Sequence, residues 1–295
     1  MELEGVAHRI VRAERIKELQ AEIAAFQTET KLNGFQDWIV NKLYQFKPPQ
    51  GTRSVIIAAV PCQAAYANVT LYRNGKTYRV FGAVRAPLHA ATKAIAKAAR
   101  ENGYKIKEES RLPLKRLAVQ SGLAQYGKNN ITYVEGMGSF CAYLAFFSDL
   151  PCQDDTWREV AVSPACGGCQ ICRDHCPTGA IRPDVFLLDS ERCLAAVNED
   201  TRDFPDWVPV SAHHTPYDCL KCQACCPMNA GHLSTIDIAF DDAETERILA
   251  GGPYVDADRE LKQKIEVLML DKWPSIPRNL QKLLDLMDAG HAPAL

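Results

Sequence analysis

The chain has 295 residues, 47% of them hydrophobic, enough to bury the core of one large domain or two ordinary ones, and it holds no run of eighteen apolar residues that would suit a membrane span. Its amino terminus, MELEGVAHRIVRAERIKELQ, lacks the apolar stretch of an export signal, so twelve cysteines are expected to serve metal binding or redox chemistry in a cytoplasmic protein and not a disulfide framework. The net charge of −2 conceals 21 Lys and Arg against 11 Asp and Glu in residues 1–135, and 13 against 25 beyond, which suits an anionic ligand on the first half and a redox partner or plain solvent on the second.

Ile10, Ile16, Leu19, Ile23 and Phe26 recur at roughly helical spacing, as do Phe35, Trp38, Ile39, Leu43 and Tyr44, and predict a helical segment over residues 1–50 that KPPQG closes. Residues 54–60 (SVIIAAV) form a continuous apolar run of strand length, expected to be buried on both faces. Residues 69–80 read as a hairpin, because Asn74-Gly75 supplies the two left-handed positions of a tight turn between β-prone runs. Pro87 opens a helix reaching about Arg100, and another runs over residues 112–121 to stop at Gly122. Residues 131–134 and 140–147 read as a strand pair joined by EGMG, and strands alternating with helices predict an α/β layer over residues 51–160. A cysteine-rich segment fills 161–235. The acidic tail, 236–295, carries helical patterns at 243–250, 258–270 and 277–287.

The first cysteine motif is Cys166-x-x-Cys169-x-x-Cys172-x-x-x-Cys176-Pro177, the run that two-cluster ferredoxins use, in which the fourth cysteine ligates the other cluster. A structural zinc site needs only four ligands, usually as two separate pairs, and does not require the triple run followed by a second Cys-Pro at Cys226-Pro227. Had Cys219, Cys222 and Cys225 formed the second three-cysteine set, the crossing ligand would fall on Asn229. With Cys193, Cys219 and Cys222 it falls on Cys226, directly before Pro227. Two 4Fe-4S clusters are therefore expected: cluster one on Cys166, Cys169, Cys172 and Cys226, and cluster two on Cys176, Cys193, Cys219 and Cys222. Cys62 and Cys141 read as small buried hydrophobes, Cys152 is unassigned, and Cys225 is either a packed thiol beside a cluster or an alternative ligand.

The cysteine pattern with its long gap through Glu191-Arg192-Cys193-Leu194, the Cys176-Pro177-Thr178-Gly179-Ala180-Ile181 stretch, and the run Ser121-Gly122-Leu123-Ala124-Gln125-Tyr126-Gly127-Lys128-Asn129 followed by Gly138-Ser139-Phe140 together resemble the epoxyqueuosine reductases, which share a cobalamin-binding core with reductive dehalogenases. The resemblance is convincing over about residues 110–230. It implies an α+β fold: an α/β layered, nitroreductase-like cobalamin-binding core, then a two-cluster ferredoxin-like domain and a short helical tail. It further implies a cobalamin beside Gly127, Lys128, Asn129 and Ser139, and a reductase acting on an oxidised organic substrate with electrons from a low-potential donor of flavodoxin or ferredoxin type. The family's proton-donating Asp corresponds in chain position to Glu108, and its Arg-Asp-Tyr-His stretch to the surroundings of His89. A tRNA partner is implied too, and it would have to meet the basic half, since an acidic tail repels phosphate. The alternative reading is a ferredoxin-like electron carrier, or a corrinoid-reactivating protein, with no substrate of its own.

Overall fold

A computed structural model describes residues 6–29, 31–183 and 186–295. In chain order the strands are β1 (Ala7–Arg12), β2 (Ser54–Pro61), β3 (Tyr66–Arg73), β4 (Lys76–Ala83), β5 (Ile106–Glu108), β6 (Ala124–Tyr126), β7 (Thr132–Val134), β8 (Cys141–Ser148) and β9 (Thr235–Phe240). The helices are α1 (Arg15–Glu29), α2 (Gly34–Trp38), α3 (Leu88–Glu101), α4 (Leu114–Gln120), α5 (Ile171–Asp174), α6 (Leu194–Glu199), α7 (Lys221–Ala224), α8 (Asp242–Ala250), α9 (Arg259–Val267) and α10 (Ile276–Asp288). The chain divides into two compact units, Met1–Cys62 with Ala86–Gly168, and Gln63–Arg85 with Cys169–Leu295. Among the described residues no helix is long and apolar enough to cross a membrane.

The first unit is built on a sheet of order β1-β2-β8-β5, antiparallel at every pairing. The apolar run of β2 is buried from Ser54 to Val60 because helices lie on both of its faces. Ile56, Ala58 and Val60 pack with Leu144, Phe146 and the α3 residue Ile95, while α4 contacts β2 and β8 and brings in fully buried Leu117. Two expectations need correction. Residues 7–12 are a strand paired with β2 and not helix, since Ile10 and Val11 complete a sheet edge that local periodicity does not reveal. Moreover, β7 and β8 do not pair with each other: β7 pairs with β6, and β8 joins β2 and β5. The EGMG turn thus carries the chain from a two-stranded ribbon to the main sheet, with Val134 and Gly138 forming a lone bridge.

The second unit holds a sheet of order β4-β3-β9. Asn74 and Gly75 take φ of 50° and 74°, as a tight β3–β4 turn requires, and β3 pairs in parallel with β9. Val69, Leu71, Tyr78 and Val80 of the hairpin share one core with Phe240, Ile248, Leu261, Ile265, Leu280 and Leu283. The division at 51–160 and 236–295 is corrected accordingly. The hairpin belongs with the tail, because their apolar faces share one core. Tail helices start where side chains satisfy their free N–H groups: Asp241 and Glu244 form a reciprocal capping box on α8, and Asp258 caps α9.

Candidate functional site

The cysteine-rich segment repeats one local design. Cys172 and Cys222 each occupy the second position of a one-turn helix, α5 and α7, which pack on each other, and each helix is followed by a Cys-Pro pair, Cys176-Pro177 and Cys226-Pro227. Leu220, which precedes α7, sits at φ 57°, a left-handed conformation that turns the chain sharply between Cys219 and Cys222. Cys193 stands at the amino end of α6, and Cys166 ends a short turn capped by Ser163 in the first unit.

Side-chain electrostatics reveal which thiols the fold gathers. Burial pushes the pKa of Cys222 well above the ordinary thiol value, and Cys219, Cys193 and Cys176 push it further. After burial, Cys193 and Cys176 likewise raise Cys219, and Asp218 and Cys176 raise Cys193. Elsewhere Cys225, pushed up to about 11 by burial, feels Cys172, Cys226 and Cys169. The fourth cysteine of the first motif, Cys176, therefore stands with the later set, and Cys225, directly before Cys226, stands near Cys169 and Cys172. Bare thiolates would be costly in such surroundings, and a cationic iron–sulfur core is what relieves that cost. Residues and cluster fit.

A buried polar network that the sequence did not reveal fixes the 213–219 loop. Asn198 is 2% exposed; its Nδ2 donates to Asp218 O at 2.8 Å, and its backbone carbonyl accepts from Ser275 Oγ at 2.6 Å and Asn279 Nδ2 at 2.7 Å. Asn279 also donates to Pro216 O at 2.8 Å. Fully buried His214 sets Nδ1 against Ala212 O and Nε2 against Cys219 O, while burial lowers its pKa against the opposing pull of the two carbonyls. Helices α6 and α10 thereby hold the backbone that carries Cys219. Nearby, burial pushes Glu199 up to about 7, with Asp218 adding to the shift. The available sequence signal was Asn279 on an otherwise apolar stripe of Ile276, Leu280 and Leu283.

In the first unit, Gly127 is followed by a tight loop with Asn130 at φ 60°. Asn129, 2% exposed, folds back: its Nδ2 donates to Tyr133 Oη at 2.9 Å, and its Oδ1 accepts from Ile131 N at 3.2 Å. A Cβ at Gly127 would lie 2.6 Å from Asn129 Oδ1 and 2.8 Å from the Tyr133 ring, so the chain's own atoms already demand glycine there. Lys128 is exposed, with Nζ donating to Gly167 O at 3.2 Å, whereas Ser139 is buried. Tyr143 Oη donates to Thr132 Oγ1 at 2.9 Å, and burial raises both the Tyr143 phenol and the Cys141 thiol, the latter to about 11. Glu108 lies exposed at the end of edge strand β5 and accepts from Thr92 Oγ1 at 3.3 Å. Its neighbour Glu109 is the buried carboxylate, and the Arg111 guanidinium holds its pKa below the usual range. His89 is exposed in the first turn of α3.

Comparisons with known proteins bear on the cysteine-rich segment and on the fold. Residues 165–229 match the 4Fe-4S double cluster binding domain. The epoxyqueuosine reductase of Leadbetterella byssophila is 28% identical over 172 residues, covering 58% of this chain and 54% of that protein. That of Pseudomonas aeruginosa is 29% identical over 187 residues, 61% of this chain and 48% of the other. The chain spans about half the length of the curated relatives it matches. Its fold is similar to a solved epoxyqueuosine reductase at a TM-score of 0.65 with 18% identity, over 98% of this chain and 79% of that one. It is also similar to an epoxyqueuosine reductase solved with a tRNA-Tyr stem loop, at 0.62 and 17% identity, with the same coverage.

Proposed function

We propose that the chain is an iron–sulfur reductase resembling epoxyqueuosine reductase, which passes electrons through two 4Fe-4S clusters to a bound cobalamin that reduces an organic substrate. The observation that carries this reading is the gathering of Cys176 with Cys193, Cys219 and Cys222, with α5 and α7 packed on each other and Cys225, the neighbour of Cys226, beside Cys169 and Cys172. When bound, the clusters supply one-electron transfer and the corrinoid a low-potential cobalt. Cys166, Cys169, Cys172 and Cys226 would hold cluster one, and Cys176, Cys193, Cys219 and Cys222 cluster two.

For the cobalamin, Gly127, Asn129 and Ser139 fit the part of a rigid frame, their space and hydrogen bonds being taken up within the chain, and Lys128 fits its exposed edge. A frame of this kind meets a ring without reorganising, which lowers the cost of binding. Glu108 would deliver the proton. Its exposed position lets it reload from solvent, and Thr92 orients its carboxylate. The substrate class that the similarity points to is an epoxide on a modified tRNA base, approached from the basic half.

Anaerobic reconstitution followed by absorption spectroscopy, with and without added cobalamin, tests the reading. Saturable cobalamin spectral change on cluster-loaded protein is expected, and Glu108→Gln should then keep both cofactors while slowing turnover roughly a hundredfold. Clusters without any response to cobalamin would instead leave the electron carrier standing.

A further inference from the structure

The second unit contains an open cleft of about 920 Å³, bordered by Arg85 after β4, by the α8–α9 connection, and by residues 270–274 and Pro277. That volume lies in the range of small-molecule and cofactor sites. Three cations line it, Arg85, Lys262 and Lys272, against two carboxylates, Glu266 and Asp271. Arg85 and Lys272 are exposed to solvent, and Lys262 spends one of its donors on Val255 O at 2.8 Å. Val255, at the rim, is 79% exposed, the most open of the large apolar side chains among the described residues.

The position of the cleft is what gives this chemistry a use. Trp273, one of its walls, stacks on Tyr217 with ring centroids 6.5 Å apart and planes 23° from parallel. Tyr217 lies two residues before Cys219 and within the electrostatic reach of Arg85. The cysteines expected to hold cluster two are half-buried, and the Tyr217–Trp273 stack joins the cleft wall to the loop that carries one of them, Cys219. An aromatic wall and an excess of cations suit a planar ring that carries a phosphate better than a simple anion, and the stack on Tyr217 ties that wall to the loop of Cys219.

We infer that this cleft binds a flavin nucleotide and admits its electrons to cluster two, with Trp273 and Val255 against the ring, the three cations available to the phosphate, and Glu266 and Asp271 to the hydroxyls of the linking chain. This inference rests on the proposed presence of cluster two. Each transfer moves one electron from the reduced flavin anion to the oxidised cluster. Two transfers return the flavin to its oxidised form, and its proton leaves to solvent with the second.

The test titrates flavin mononucleotide with the cluster-loaded full chain and reads flavin fluorescence. Saturable quenching is expected, with riboflavin, which lacks the phosphate, bound at least roughly tenfold more weakly. Arg85→Glu combined with Lys272→Glu should weaken the mononucleotide by a similar factor, of about ten, and leave riboflavin binding and iron content unchanged. Both positions are exposed, so folding is not at stake. Trp273→Ala should reduce the quenching, and Trp273→Phe should retain the binding. Fluorescence unchanged at millimolar flavin overturns the inference, as does equal binding of riboflavin and the mononucleotide. Displacement by equimolar ATP would mark a general phosphate site and overturn it too. Iron analysis and bleaching by dithionite need no flavin, so loss of the clusters is told apart from loss of the cleft.

Discussion

Cys225 and Cys226 are adjacent and chemically identical, and their place in the motif is what separates their roles. Cys226 has the Cys-Pro position that repeats Cys176-Pro177, and Cys225 sits beside Cys172, Cys226 and Cys169 as a raised, protonated thiol. Cys226→Ser is expected to cost about half the iron, whereas Cys225→Ser should leave about eight per chain; equal losses would show the ligand to be misassigned. At Gly127 the motif was visible in the sequence but its reason was not. The collision of a Cβ with Asn129 and Tyr133 means that Gly127→Val should unfold the loop whether or not a corrinoid binds, so it is a poor probe of cofactor binding. Asn129→Ala is the cleaner change. It removes two hydrogen bonds from a buried loop and should lower stability by about 1–3 kcal/mol in chemical denaturation.

Asp155 gives a prediction in pH at the same scale. Its side chain is 1% exposed, and the hydrogen-bonded Arg15 guanidinium is the main cause that holds its pKa at about 2, below the ordinary 3.8. A depressed folded-state value means the stabilisation is full above pH 3.8 and is lost as pH falls towards 2. Asp155→Asn should therefore cost about 2 kcal/mol at neutral pH and flatten the acid limb of the stability curve, with little difference from the unmutated chain remaining at the lowest pH.

At the scale of elements, α10 does two jobs. Ile276, Leu280, Leu283 and Leu284 bury its apolar face against the hairpin core, so Leu283→Ala should cost about 2–5 kcal/mol without a direct effect on the clusters. Ser275 and Asn279, at its amino end, hold the loop that leads to Cys219. Asn279→Ala should accordingly make cluster two more labile, read as faster loss of about half the iron to a chelator, with the helix still formed. The helical periods of the tail and the Asn-Gly turn were readable locally, since each depends on residues a few positions apart. Pairing of β3 with β9 was not, because it joins segments about 170 residues apart through backbone hydrogen bonds that no side-chain pattern announces.

For the whole molecule, the cysteines bind iron only when the folded chain brings four together, so cluster binding is linked to folding. Fully reconstituted protein should hold about eight iron and eight sulfide per chain and melt roughly 5 °C or more above the apo form. Four iron per chain in fully reconstituted material would sink the crossed assignment. The interleaving of segments 63–85 and 169–295 in one unit also predicts that a fragment ending before β9 will leave the apolar faces of Val69, Leu71 and Val80 uncovered and aggregate.

The amino-acid sequence by itself determined the iron–sulfur chemistry, because ligand reach around a cluster depends on short spacings, Cys-x-x-Cys-x-x-Cys and the Cys-Pro that follows. It also determined the buried strand, the tight turn and most helices, whose causes are equally local. Only the tertiary structure decided that Ala7–Arg12 is an edge strand, that the hairpin shares its core with the tail, and that Asn198, His214 and Asn279 hold the backbone beside Cys219. Those outcomes depend on contacts between residues far apart in the chain, where burial of apolar faces and the need to satisfy buried carbonyls and N–H groups select one arrangement among many that local spacing allows.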